Sequence, residues 1–297
     1  MSKLREALEN TNELVFTAEF PSLDSGGMDA VKGNVERLAP WFIAVNATDN
    51  TSAHAHASNL SIAIAMKMHG LEPIMQIVCR DKNRIAIQAD MAGANLHGIE
   101  NISLLTGDDV TAGDEPEARR VFDLDGPQAI NVASVLNNGT YLSGRKLSPA
   151  PNFYISAAEN PYAPPHDYRI ERALKKARAG ARYLQLQIGY QPDRLEKFCK
   201  GVAETVPELH LLPTIILFKS ARPLNYMNDK VPGIDVPREI IERVEKSTDQ
   251  GEAAYQLALQ QCQEALALPG VRGLHITDFR HDETLVRLMS DLGRKSK

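Results

Sequence analysis

Glu19 is the first residue whose type and place suggest chemistry. It ends the apolar run LVFTAEF (14–20) and stands just before Phe20-Pro21. A partly buried carboxyl at a strand end has its pKa raised, which suits a general acid near neutral pH. Polar residues also end the apolar runs that follow: Thr48 with Asp49 and Asn50, Gln76 with Cys79 and Asp81, then Thr106-Gly107-Asp108. Asn160, Gln187, Lys219 and Asp278 complete the set. Gln76, Gln185 and Gln187 interrupt otherwise apolar stretches. An unsatisfied buried amide costs about 1–3 kcal/mol, so each needs a partner, either within the fold or in a ligand with donor and acceptor edges. In LLTGDD, Gly107 would let backbone approach a flat ligand, with Asp108 beside it.

Other chemistries find little support. His54 and His56 lie two apart, which on a helix sends them to different faces, and no carboxylate–histidine cluster completes a metal site. His166 and His275 stand alone. LKKARAGAR offers Lys175 or Lys176 as a phosphate contact, or simply a solvated helix face. It lacks the interleaved aromatics of a nucleic-acid binder, and a formal charge of −5 argues against one as well. No GxGxxG follows a strand, and neither GxxxxGK[ST] nor GxSxG occurs, so dinucleotide-fold, P-loop and serine-hydrolase readings lose their usual support. Cys79, Cys199 and Cys262 are widely spaced and odd in number, which reads as a reduced cytoplasmic chain. No stretch reaches the ~18 apolar residues that span a bilayer, and the N-terminus lacks a signal-peptide core.

The elements that must position these residues are short apolar runs alternating with amphipathic segments. After LVFTAEF come FIAVNAT (42–48), PIMQIVC (73–79), NISLLTG (101–107), FYISAA (153–158), YLQLQI (183–188), HLLPTIILF (210–218) and GLHITDF (273–279). Helical stretches between them stop at Gly70, Gly98 and Gly180, as αβ turns do. Eight such units in one domain spanning 1–297 predict a (β/α)8 TIM barrel, with a doubly wound open sheet as the runner-up. Two inserts, 108–152 and 220–247, follow strands 4 and 7 on the face where barrels carry their sites.

Several stretches, in order from Glu19 to Phe279, resemble the methylenetetrahydrofolate reductase family. EPIMQIVCRDKNRIAIQADMAGANLHGIENISLLTGDD (72–109) is similar to the family's P-x-L-Q-L-T-C-R-D-R-N-R-I-A-L-Q stretch with its following L-T-G-D. AVNATDN, VFDLDGPQ, SAAENPYAPP and KARAGARYLQLQ resemble further family segments. The resemblance implies a (β/α)8 barrel that reduces 5,10-methylenetetrahydrofolate to 5-methyltetrahydrofolate, with hydride passing from NADH or NADPH through bound FAD. It implies Glu19 and Asp108 as catalytic residues. Flavin contacts would come from Thr48, Gln76, Thr106, Gly107, Asp108, Ala157, Asn160 and Lys176, and the folate would be held by Glu19, Asp108, Gln187 and Phe218. The chain departs from the family at Phe20-Pro21-Ser22, at Arg-Ile-Glu-Arg (169–172) and at Thr106, where other members have arginine. These departures keep three alternatives open: a flavin-independent reductase, electrons supplied by a partner subunit, and a non-catalytic folate-binding barrel in a methyl-transfer complex. Neither a membrane nor a nucleic acid is expected as a partner; self-association is an open option, as in many barrel enzymes.

Overall fold

The strands are short, and their order in space is their order in sequence. The computed structural model describes residues 1–231, 233–277 and 282–296. Helix α1 (Lys3–Asn10) leads into β1 (Val15–Glu19), followed by α2 (Gly27–Leu38), β2 (Ala44–Ala47), α3 (Asn59–Met68), β3 (Pro73–Val78), α4 (Arg84–Leu96) and β4 (Asn101–Leu105). The chain continues through α5 (Gly126–Asn137), β5 (Tyr154–Glu159), α6 (Tyr168–Ala179), β6 (Tyr183–Leu186), α7 (Pro192–Thr205) and β7 (His210–Ile216). It ends with α8 (Arg222–Lys230), α9 (Arg238–Glu245), α10 (Gln250–Leu266), β8 (Gly273–Thr277) and α11 (Glu283–Asp291). Neighbouring strands pair in parallel, and β8 returns to β1, so the sheet closes. The expected (β/α)8 barrel is the fold observed, and closure excludes the open sheet.

Local chemistry explains the element ends. Ser58, Asn83 and Asp125 each accept a backbone N–H at the start of α3, α4 and α5, and Asp125 with Gln128 forms a full capping box. Gly70 and Gly98 follow α3 and α4 at φ of +88° and +65°, a conformation that residues with a Cβ rarely adopt. The insert expected at 108–152 is smaller than its length suggests. Ala129, Ile130, Ala133 and Leu136 of α5 are buried in the main apolar cluster, so α5 is the regular helix of the fourth unit. The added chain is the loop before α5 and a turn closed by a Thr140–Lys146 bridge. After β7, α8 and α9 are additions, and α10 packs beside the barrel.

Closure puts alternate residues of every strand inside. The first inward position is mostly apolar: Val15, Ala44, Ile74, Tyr154, Tyr183 and Leu212 pack with Leu4 and Leu8 of α1. Burying each of those leucines is worth about 1.5–3 kcal/mol, so α1 acts as a plug for the N-terminal end. Glu72 holds its start through the N–H groups of Lys3 and Leu4 (2.8 and 3.0 Å), and Arg272 donates to the Leu8 carbonyl at its end (3.1 Å). Two residues further along, the inward position is polar on every strand: Thr17, Asn46, Gln76, Ser103, Ser156, Gln185, Thr214 and His275. Barrel cores are usually filled there by Val, Ile and Leu. This barrel has a polar floor under its C-terminal mouth.

Candidate active site

The floor is bonded across the barrel. Asn46 Nδ2 donates to Gln185 Oε1 (2.9 Å), and Gln185 Nε2 returns a bond to Asn46 Oδ1 (3.0 Å). Gln185 Nε2 also lies 3.2 Å from His275 Nδ1, which is 2.9 Å from Thr17 Oγ1. Above this layer stand Glu19, Thr48, Gln187 and the exposed Ala158. The Glu19 side chain is 37% exposed, more open than its strand-end position alone suggests, and its Oε1 lies 3.9 Å from His275 Nε2. Gln76 is almost buried, yet among the described residues nothing bonds its side-chain amide; its backbone carbonyl accepts from Asn59 Nδ2 (2.5 Å). Gln187 turns its Oε1 back to the Ile188 N–H (3.0 Å) and leaves its amide nitrogen at the mouth.

The β3–β4 side is a rim of ion pairs. Arg80 is buried, and its guanidinium forks onto Asp81 (2.7 and 2.6 Å) while also reaching the Asn50 carbonyl (3.1 Å). Burial opposes ionisation of Asp81, but the bonds from Arg80 and Asn50 hold its pKa below the usual carboxylate value. Burial would lower the Lys82 pKa; Asp49 (2.7 Å) and Asp90 (2.9 Å) more than offset it and hold it above the ordinary lysine value. Burial pushes the Cys79 thiol up to about 12, so it is no thiolate at neutral pH. Gly107 is tightly packed: a Cβ there would meet Val78 Cγ1 at 2.4 Å and Arg80 Cβ at 3.1 Å. Within the fold its close approach is to the end of strand β3. Thr106 Oγ1 accepts the Gly126 N–H (3.0 Å), tying β4 to the start of α5. Asp108 is exposed, and no hydrogen bond or ion pair engages it among the described residues.

The β5–α6 corner is closed in a way the sequence does not announce. Ala157 is fully buried on the helix side of β5, and Ala158 is the residue that opens onto the mouth. Strand alternation therefore sends Glu159 outward too, against α6. There Lys176 Nζ donates to Glu159 Oε2 and to the Ala158 carbonyl, both at 2.5 Å. Arg169 and Arg172 lie 3.4 and 3.5 Å from the same carboxylate. Burial draws the Lys176 pKa down, and Glu159 opposes the fall. Asn160 spends its amide on the Gly233 carbonyl (3.1 Å) and its Oδ1 on the Tyr162 N–H (2.9 Å). Phe218 is buried in a second apolar cluster with Leu224, Met227 and Ile241, beneath the added helices α8 and α9.

These positions test a flavin. Thr48, Gln76 and Asp108 face the mouth, where a ring system could lie. Lys176, Asn160 and Ala157, expected to contact the cofactor as well, are bonded or packed elsewhere. The arrangement does not fit a flavin gripped through Lys176. His56 pairs with Asp24 (2.6 Å), and no group of three His, Cys, Asp or Glu side chains placed to hold a metal occurs among the described residues. Lys219 pairs with Asp282 (2.5 Å), and Asp278 lies outside the described residues. Surface grooves of about 380 Å³ beside Gln128 and Lys175, and about 250 Å³ beside His166 and Lys197, lie among the outer helices, away from the mouth. Thr17, Asn46, His275 and Glu159 are site-forming residues that the reading of motifs missed. The signal available in the sequence was a polar residue inside each apolar run: Thr17, Asn46, Gln76, Ser103, Ser156, Gln185, Thr214 and His275.

The mouth offers the half-exposed carboxyl of Glu19, the exposed carboxyl of Asp108 within the field of Arg80, and amide edges. That set suits a flat, hydrogen-bonding heterocycle and one proton transfer. Among the described residues no helix is long and apolar enough to cross a membrane. A solved structure from Clostridium thermocellum, an uncharacterized protein that binds two copies of 5-methyl-5,6,7,8-tetrahydrofolic acid, superposes with a TM-score of 0.69 at 13% identity, over 97% of this chain and 98% of that one. Methylenetetrahydrofolate reductase 2 of Schizosaccharomyces pombe is 20% identical over 310 residues, covering 99% of this chain. The chain spans about half, 47%, of that relative's length. The family model for methylenetetrahydrofolate reductase matches residues 3–293, and the chain belongs to that family.

Proposed function

We propose that this protein reduces 5,10-methylenetetrahydrofolate to 5-methyltetrahydrofolate at the barrel mouth, with the electron pair coming from NADH or NADPH. The observation that carries the reading is Glu19 standing half-exposed above the Asn46–Gln185–His275 floor, with Asp108 exposed near Arg80. Glu19 gives its proton to a folate nitrogen as the methylene bridge opens to an iminium. Hydride then adds to the exocyclic carbon, and the nicotinamide leaves oxidised. Asp108 and Gln187 hold the pterin edge, where paired donors and acceptors can be read. Positioning supplies much of the rate, because no protein nucleophile is needed.

Two hydride routes follow. The family resemblance implies FAD as the carrier; Thr48, Gln76 and Asp108 would lie beside it, and it would supply hydride transfer. The closed Glu159–Lys176 corner favours the second reading, direct transfer from nicotinamide to folate. A folate-binding barrel without catalysis gains support from the methylfolate complex of the Clostridium thermocellum protein.

A visible spectrum of the purified protein, followed by anaerobic NADH or NADPH and then the folate substrate, separates these. A flavin band that bleaches with nicotinamide and returns with folate establishes the carrier route. A colourless protein that forms 5-methyltetrahydrofolate establishes direct transfer. Turnover only with an artificial reductant points to an electron-donor subunit. A protein that binds methylfolate and never reduces the methylene form sinks the reductase reading.

A further inference from the structure

We infer that His275 is a positioning residue for Glu19, held as its Nε2–H tautomer with that N–H edge toward the Glu19 carboxyl. The inference rests on the proposed role of Glu19 and adds a residue to it. Asn46 and Gln185 exchange two hydrogen bonds (2.9 and 3.0 Å), which sets both amide planes. The remaining hydrogen on Gln185 Nε2 points at His275 Nδ1, 3.2 Å away. An amide nitrogen only donates, so Nδ1 accepts and the ring proton resides on Nε2. The Thr17 hydroxyl, 2.9 Å from the same Nδ1, can rotate to donate as well. His275 is 2% exposed, so bulk water does not compete for that nitrogen.

Nε2 is left facing the mouth, 3.9 Å from Glu19 Oε1. That is longer than a hydrogen bond, as catalytic contacts often are before substrate tightens them. When Glu19 gives up its proton, negative charge develops on its carboxylate. An N–H already aimed there stabilises the charge with little reorganisation. The carboxyl is 37% exposed, so its next proton comes from water and His275 need not carry one. The groups around the imidazole are Thr17 on β1, Asn46 on β2, Gln185 on β6 and Thr214 beside it on β7, with Glu19 the ionisable neighbour among the described residues.

The test combines a spectroscopic signature with a pair of variants. Long-range ¹⁵N–¹H NMR of histidine-labelled protein, assigned by the signal missing from His275→Gln, should show the Nε2–H tautomer at neutral pH. His275→Asn can face Thr17 and Gln185 but lacks the Nε2 edge, whereas His275→Gln reaches toward Glu19 with an amide N–H. With thermal midpoints equal, His275→Asn should lower kcat by at least about 10-fold at unchanged KM for the folate, and His275→Gln should restore most of it. An Nδ1–H tautomer or an imidazolium in the wild type would overturn the inference, as would equal kcat losses in both variants. Absence of methylfolate product from the wild type with either nicotinamide would instead sink the reductase reading, leaving the NMR to decide the tautomer by itself.

Discussion

Thr17, Asn46, Gln185 and His275 fill the barrel at mid-height with amides, a hydroxyl and an imidazole, whereas Glu159, Lys176, Arg169 and Arg172 fill the β5–α6 corner with charges. Both groups are largely buried and both lie near the C-terminal end of the strands. They differ in what they leave over. The amide pair satisfies itself reciprocally and still presents edges upward, because each amide has more than one donor or acceptor. The carboxylate at the corner is surrounded by cations, and its lysine spends its hydrogens on Glu159 and a carbonyl. Buried charge must be paired to be tolerated, so the charged corner closes on itself while the neutral floor can serve a ligand.

The largest effect should follow removal of the proton donor on the open side. Glu19→Gln should cut methylfolate formation on the order of 10²–10⁴-fold while leaving the thermal midpoint unchanged. Unaltered turnover in a steady-state assay would take Glu19 out of the chemistry. On the closed side the loss should be stability instead. Glu159→Gln leaves Lys176 buried without its counter-charge and should cost about 3–5 kcal/mol in urea unfolding, and adding Lys176→Met should recover much of it. A single variant as stable as wild type would mean that the corner is open enough for water, and so for a phosphate.

Gly107→Ala tests the packing of the β4 end against β3. Its φ of +92° and the 2.4 Å approach of Val78 Cγ1 leave no room for a methyl group, so a loss of about 1–3 kcal/mol should appear as a lower urea midpoint. Smallest of all is the acid response of the rim. The Arg84 guanidinium bonded to Asp123 holds that carboxyl down at about 2, from an ordinary value of 3.8. Its folded pKa lies below the unfolded one, so its contribution is present above the unfolded value and is lost as pH falls toward about 2. Thermal melts across that window should decline less steeply in Asp123→Asn than in wild type, and high salt should shrink the difference.

Much of the architecture is legible in the sequence. The apolar runs at 14–20 and 73–79 became β1 and β3 within a residue or two, and Gly70 and Gly98 stop their helices as expected. The position of Glu19 at the end of β1 follows from the same reading. The β5–α6 corner was harder. Choosing Ala157 over Ala158 for the mouth is a one-residue question of strand parity, and a slip of one residue moves a side chain to the other face. Lys176 looked free in a basic stretch because its partner, Glu159, sits 17 residues away on another element. Phe218 lies in a strand-end segment either way; only the folding of α8 and α9 against it decides that its ring is covered.

Local physics therefore specified the repeated units. Apolar alternation, capping side chains and glycine stops act within a few residues and leave their marks in order along the chain. Closure of the barrel then decided the partners. Thr17 and His275 meet across 258 residues, and Asn46 and Gln185 across 139, because β8 returns to β1 and the inward faces converge. A lone histidine and two scattered amides carry no mutual signal in one dimension. They become a hydrogen-bonded floor beneath an acid only when eight strands share one interior.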